Sequence, residues 1–128
     1  MTSTRRTAAS KRLNWRINSE LMKVLLINGS PNQTGCTYTA LHEVETTLQA
    51  NGIETELLYL GKKPIAGCIA CGACMNTGHC FRDDLVQEIQ KRLDEFDAIV
   101  IGSPVYYSAP TGQLVSFLNR LFFATENR

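Results

Sequence analysis

Hydrophobic positions along the chain change period in a regular order. Lys23–Asn28 (KVLLIN) is a continuous aliphatic run ending at Gly29-Ser30-Pro31, the pattern of a parallel strand buried on both faces. Between Thr37 and Asn51, Leu41, Val44 and Leu48 recur at helical spacing, and Asn51-Gly52 supplies a stop, because glycine tolerates the left-handed conformation that follows a helix. Ile53–Leu60 is rich in β-formers, with Ile53, Leu57 and Tyr59 on one face, and closes at Gly61 and Pro64. A cysteine-dense loop spans Gly67–Phe81. Asp83-Asp84 then cap a second amphipathic helix whose expected buried stripe is Leu85, Ile89, Leu93 and Phe96. Asp97–Ser103 (DAIVIGS) reads as a third strand. Thr111–Thr125 reads as a final helix whose Leu114, Val115, Phe117, Leu118, Leu121, Phe122 and Phe123 make most of its circumference apolar, so that it expects cover on several sides.

Strand, helix, strand, loop, helix, strand, helix is the βαβαβ order of an α/β fold: a doubly wound parallel sheet between helices, in three αβα layers. Three strands make a thin sheet with an unprotected edge beside an apolar helix, so the expectation is a fold incomplete at its C-terminus. Residues 1–21, rich in Ser, Thr and Arg and almost free of acid, read as a disordered N-terminal extension preceding a domain at 22–128. A transit-peptide-like segment and translation upstream of a start at Met22 both account for it; the second is favoured because Met22 immediately precedes the first strand.

Composition narrows the function classes. The 128 residues are 44% hydrophobic and 20% charged, within globular ranges, and no apolar run approaches the roughly 20 residues that cross a bilayer. Residues 1–21 hold five basic side chains and one acidic, whereas 22–128 hold eight and eleven. The folded part is therefore mildly acidic, which argues against a nucleic-acid partner. Five cysteines without a secretory apolar segment point to a cytoplasmic location and to a use other than disulfides.

Three segments offer chemistry. Gly29-Ser30-Pro31-Asn32-Gln33-Thr34-Gly35-Cys36-Thr37 clusters hydroxyls and backbone N–H groups where a helix begins, and suits a phosphate, although a plain Ser/Thr-rich turn accounts for it equally. It is neither a dinucleotide fingerprint nor a nucleoside-triphosphate loop. Ser103-Pro104-Val105-Tyr106-Tyr107-Ser108-Ala109-Pro110 lies at the end of the third strand, where an open sheet binds ligands, and its tyrosines offer flat faces to an aromatic ring or are simply half-buried. Cys68-x2-Cys71-x2-Cys74-x5-Cys80 has the compact spacing of a [4Fe–4S] ligand set, with a zinc site or free thiols as alternatives. Cys36 reads as a packing residue, and His42 and His79 as surface and spacer residues. No hydrolytic constellation is visible, and no residue is assigned as catalytic.

Together these motifs resemble the flavodoxin-like NADPH-dependent FMN reductases, and among them the iron–sulfur flavoproteins. The resemblance covers Met22 to about Arg120 and rests on KVLLINGSPNQTGCT, CIACGACMNTGHCFRDD, DAIVIGSPVYYSAPTGQL and the closing Asn119-Arg120. It implies a five-stranded sheet, of which the chain carries the first three strands. It implies an FMN phosphate bound at Ser30, Asn32, Gly35, Cys36 and Thr37, and a flavin ring held by Pro104, Val105, Tyr106 and Tyr107. It also implies Cys68, Cys71, Cys74 and Cys80 as cluster ligands, with electrons passing between cluster and flavin and the protein positioning and tuning both. Cys36, Val115 and Asn119 depart from the family pattern, which commonly has Asn, Lys and Asp there.

The resulting expectation is an FMN-dependent oxidoreductase supplied by NAD(P)H or a ferredoxin-like redox partner protein, assembled as a homo-oligomer. The competing readings are a non-enzymatic electron carrier, a cluster-free NAD(P)H:flavin or quinone reductase, and an inactive truncated fragment. Iron and acid-labile sulfide content separates the cluster-bearing reading from the cluster-free one.

Overall fold

The aliphatic run at Lys23–Asn28 forms β1, the central strand of a three-stranded parallel sheet in the order β2-β1-β3. The computed structural model describes residues 22–126, and the expected extension at 1–21 lies outside the described residues. After β1 come α1 (Cys36–Ala50), β2 (Glu54–Tyr59), α2 (Cys74–Thr77), α3 (Leu85–Arg92) with a 3-10 turn at Leu93–Glu95, β3 (Ala98–Gly102) and α4 (Gly112–Thr125). Lys23 to Asn28 pairs with Glu54 to Tyr59 on one side, and Val24 to Asn28 pairs with Ala98 to Gly102 on the other. Placing β1 between β2 and β3 makes the flavodoxin-like order, with a switch point at the carboxyl ends of β1 and β3.

Alternation along β1 divides the core. Leu25 and Ile27 meet Val86 and Ile89 of α3 and Leu114, Phe117 and Leu121 of α4 in one buried cluster. Val24 and Leu26 pack with Leu41 of α1 in a second. The three layers follow, with α1 on one face of the sheet and α3 and α4 on the other.

The helices depart from the simple stripes in three places. In α1, Leu41 is buried and Leu48 half-buried, but Val44 is exposed. The row facing the sheet passes instead through half-buried Glu45, whose Oε1 accepts the Thr55 hydroxyl at 3.2 Å. In α3 the fully covered positions are Val86, Gln87, Ile89 and Gln90, with Leu85, Leu93 and Phe96 only half-buried, and the α-helical segment ends at Arg92. Asp84 alone caps it, accepting from the Val86 and Gln87 N–H groups at 3.2 and 3.4 Å, while Asp83 is exposed. In α4, Leu114, Phe117 and Leu121 are buried, and Val115, Phe122 and Phe123 are exposed. The last helix is thus covered on one side only among the described residues.

Two glycines set the spacing of layers at the switch point. A Cβ on Gly29 would lie 2.8 Å from Leu114 Cδ2, and one on Gly102 would lie 2.9 Å from Leu41 Cδ1 and from Thr37 Cγ2. Both positions are closed to any larger side chain, because helices from opposite faces press directly on the strand ends. Gly102→Ala is expected to cost about 1–3 kcal/mol by overpacking, measured by thermal or urea denaturation. An unaffected midpoint would mean that α1 gives way freely there.

An ion network lies where β1 begins. Glu56 accepts both Arg92 Nη groups at 3.0 and 2.7 Å and stands 3.3 Å from Lys23 Nζ. The Arg92 guanidinium, helped by Lys23, outweighs burial and holds the Glu56 carboxyl below its ordinary value of 4.5. A carboxyl depressed on folding contributes stability above its unfolded value, and that contribution is lost as pH falls through the lower folded value. Glu56→Gln should therefore flatten the loss of stability between pH about 6 and about 3, followed by urea midpoints. An unaltered slope would remove Glu56 from the acid response.

Candidate functional site

The turn between β1 and α1 is organised by side chains that the hydrophobic pattern hides. Asn28, fully buried at the end of β1, accepts the Ser30 N–H at 3.0 Å through Oδ1 and donates to the Gln33 carbonyl at 3.3 Å. Ser30 Oγ accepts the Asn32 N–H at 3.1 Å, so this buried hydroxyl oxygen braces the turn from inside. The Tyr59 hydroxyl donates to the Pro31 carbonyl at 2.7 Å and ties the turn to β2.

Helix α1 starts at the end of this turn without a cap. Gly35 is extended at the N-cap, no side chain caps the helix, and its first turn holds no acid. Among the described residues the N–H groups of Cys36, Thr37 and Tyr38 have no acceptor. A 15-residue helix with free first-turn donors presents the positive end of its dipole, which favours an anion. Asn32, Gln33, Thr34 and Gly35 line a pocket here together with Tyr59 and Lys62, whose ammonium adds positive charge. Cys36 does not pack, contrary to expectation: as the first residue of α1 it is exposed. Its neighbour Thr37 turns inward against the end of β3.

The loop after β3 is stitched to that turn. Gly29 N–H donates to the Gly102 carbonyl at 2.9 Å, and the buried Thr111 hydroxyl donates to the Gly29 carbonyl at 2.7 Å while capping α4 at Leu114 N. Ser103 Oγ accepts the Thr111 N–H at 3.1 Å. Between these anchors Tyr106 and Ala109 exchange backbone hydrogen bonds of 2.8 and 3.2 Å, closing a tight turn with Tyr107 at φ 49° and Ser108 at φ 63°. Positive φ at both central positions belongs to a turn type that favours Asn-Gly, so Tyr-Ser holds it under strain. Pro104 is half-buried, whereas Val105, Tyr106 and Tyr107 are exposed and none of the four lines the turn pocket.

Cys68, Cys71, Cys74 and Cys80 all line a second cavity, with Gly67, Ile69, Gly72, Phe81, Arg82, Arg120, Phe123 and Ala124. Cys74 begins the one-turn helix α2 inside the expected loop, and Gly78 at φ 73° ends it. Cys68 and Cys71 are exposed, Cys74 buried and Cys80 half-buried. The Ala70 N–H donates to Cys68 Sγ at 3.4 Å from a residue held at φ 54°. Two N–H groups of Arg120 donate to Cys80 Sγ at 3.4 and 3.3 Å. Donors aimed at sulfur suit anionic thiolates. Among the described residues no group of three or more His, Cys, Asp or Glu side chains is arranged to hold a single metal ion. Four cysteines lining one cavity are a donor set used for zinc and for iron–sulfur clusters alike.

Asn28, Thr111, Gln87 and Gln90 are buried polar positions to which the sequence pattern assigns no role, and Asp84, expected only as a helix cap, also pairs with Arg120. Gln87, Gln90 and Arg120 are polar residues on the covered faces of their helices, and that misfit is the signal that marks them. His42 is exposed, 3.3 Å from Glu45, and His79 Nδ1 lies 3.2 Å from the Cys80 carbonyl; neither joins an acid–base pair with the site.

Residues 22–128 match the family model described as NADPH-dependent FMN reductase. An iron–sulfur flavoprotein of Methanocaldococcus jannaschii is 39% identical over 99 residues, 77% of this chain and 51% of that protein. An iron–sulfur flavoprotein of Archaeoglobus fulgidus is 34% identical over 100 residues, covering 78% and 46%. One from Clostridioides difficile is 28% identical over 108 residues, covering 82% and 48%. The chain spans about half the length of the curated relatives it matches. No solved structure gives a significant match.

The strained turn carries its own test. Tyr107→Asn combined with Ser108→Gly relaxes both left-handed residues and should raise stability by about 1–2 kcal/mol in thermal unfolding. A lower melting temperature would show that the turn is not strained at these two residues.

Proposed function

The chain belongs to the NADPH-dependent FMN reductase family, in its iron–sulfur flavoprotein branch, and we propose that it provides the FMN-binding and [4Fe–4S]-binding part of an oxidoreductase. The observation that carries this reading is the cavity that gathers all four cysteines and aims N–H donors at the sulfurs of Cys68 and Cys80.

The roles follow from the donors present. The free N–H groups at the start of α1, with Ser30, Asn32, Gly35, Cys36 and Thr37 around them and Lys62 beside the turn, receive the flavin phosphate by hydrogen bonds and the helix dipole. Pro104, Val105, Tyr106 and Tyr107 hold the ring by apolar and stacking contact, and the strained turn fixes the tyrosines in place. Cys68, Cys71, Cys74 and Cys80 hold the cluster as thiolates. Bound there, FMN would supply two-electron chemistry with a reduced nicotinamide and one-electron exchange with a cluster held by the four cysteines. Nothing in this scheme calls for an acid–base side chain. The protein's part is to place two redox groups and set their potentials.

The test is the ultraviolet–visible spectrum of the full chain purified anaerobically, with FMN, iron and acid-labile sulfide quantified on one sample. The expected result is flavin bands over a broad thiolate-to-iron absorption, with about four irons per chain. Flavin without iron would replace this reading by a cluster-free reductase, and a colourless protein that refuses added FMN would overturn it. Cys71→Ser should remove iron and sulfide while FMN stays. Tyr106→Ala should weaken FMN binding by about fivefold to tenfold, the worth of one aromatic contact, as read by fluorescence titration.

A further inference from the structure

The least expected group in the molecule is the side chain of Arg120, 1% exposed on the core row of α4 among Phe117, Leu121 and Ala124. A buried guanidinium is costly unless every donor is met. Here all five N–H groups have acceptors. Nη1 donates to Asp84 Oδ2 at 2.6 Å and to the Ala66 carbonyl at 3.1 Å. Nη2 donates to Asp84 Oδ1 at 2.8 Å and to Cys80 Sγ at 3.3 Å, and Nε donates to the same sulfur at 3.4 Å. The fork cannot turn: Asp84 is the cap of α3, and shifting it would release the Val86 and Gln87 N–H groups.

Cys80 is fixed by the same helices from three sides. Its N–H donates to Gln90 Oε1 at 2.8 Å, and its carbonyl accepts Gln87 Nε2 at 2.8 Å. Gln90 Nε2 in turn donates to the Arg120 carbonyl at 2.6 Å, so one carboxamide joins the backbone of the cysteine to that of the arginine. Among the described residues no other charged side chain donates to a cysteine sulfur.

A buried ion pair is weak ground for stability, since apolar residues of similar volume serve as well. Two of five donors spent on a sulfur point elsewhere. We propose that Arg120 is a positioning residue that holds a fixed positive charge against the Cys80 thiolate and so favours the reduced form of the cluster ligated there. The inference rests on the reading of Cys80 as a ligand. Reduction adds one electron and one negative charge to the cluster. A cation locked beside one ligand sulfur lowers the energy of that more negative state, and N–H···S bonds withdraw charge in the same direction.

The experiment uses the full-length protein loaded with iron and sulfide, in wild type, Arg120→Lys, and the paired variant Arg120→Met with Asp84→Asn, which removes both charges together. Reduction by dithionite, which supplies the electron, is followed by dye-mediated titration, with FMN as an internal reference in each sample. In the paired variant the equilibrium constant for cluster reduction should fall by about tenfold, a shift of about 59 mV to more negative potential for one electron, with the flavin potential unchanged. Arg120→Lys keeps the charge but loses the fork, and should fall in between. An unchanged cluster potential at full iron content would reduce Arg120 to a structural ion pair and overturn the proposal. If circular dichroism shows the paired variant unfolded, Arg120→Lys decides in its place, by the same shift or its absence. A wild-type protein without iron would instead overturn the ligand reading, and this inference with it.

Discussion

The close approach of the ends of β1 and β3 governs the rest of the molecule's functional end. Gly29 and Gly102 are joined by a backbone hydrogen bond and pressed by Leu114 from one layer and by Leu41 and Thr37 from the other. Because neither position admits a Cβ, both helices sit tight on the strand ends, and the turn at Ser30–Gly35 and the loop at Ser103–Pro110 leave the sheet side by side. Thr111 makes the junction rigid: one hydroxyl both caps α4 and donates to the Gly29 carbonyl. The start of α1 is left free for an anion, since its N-cap residue, Gly35, has no side chain to accept the first N–H groups.

The cysteine segment is solved differently. It has one turn of helix and no strand, so its shape depends on side chains reaching it from α3 and α4. Gln87, Gln90, Asp84 and Arg120 form a connected polar group inside what the periodicity marks as core, and no buried side-chain polar atom lacks a partner among the described residues. Satisfied networks of this kind specify one arrangement, because in a low-dielectric interior a partly paired alternative is expensive. Burial acts to raise the Asp84 carboxyl, but the Arg120 guanidinium and the two N–H groups of α3 outweigh it and hold the carboxyl below its ordinary value. The pair therefore stays charged near neutrality.

The two ends of the sheet divide the work. Where β1 begins, Lys23, Glu56, Arg92 and Glu95 form a surface ion network that contributes to pH-dependent stability. Where β1 and β3 end, the strands hand over to glycine-rich and strained backbone, including left-handed Tyr107 and Ser108 in one loop and left-handed Ala70 in the cysteine segment. Strain of this sort persists only where the surroundings over-determine it. Here those surroundings are the Tyr106–Ala109 backbone pair and the Ala70 hydrogen bond to Cys68.

By itself the sequence determined what depends on local period and local chemistry. An unbroken aliphatic run becomes a strand covered on both faces, the βαβ order becomes a parallel sheet, and the cysteine spacing marks one thiol-dense segment, because each is encoded within a few neighbouring residues. Only the tertiary structure decided which polar residues on the helices are buried and what they reach. Gln90 on α3 and Arg120 on α4 lie 30 residues apart yet are joined by a hydrogen bond, and Arg120 reaches Cys80 across 40. Thr111 likewise reaches the Gly29 carbonyl across 82 residues. The exposure of Val44 and Cys36 was settled the same way: spacing says which residues share a face, but only packing says which face the sheet covers and where the helix end meets water.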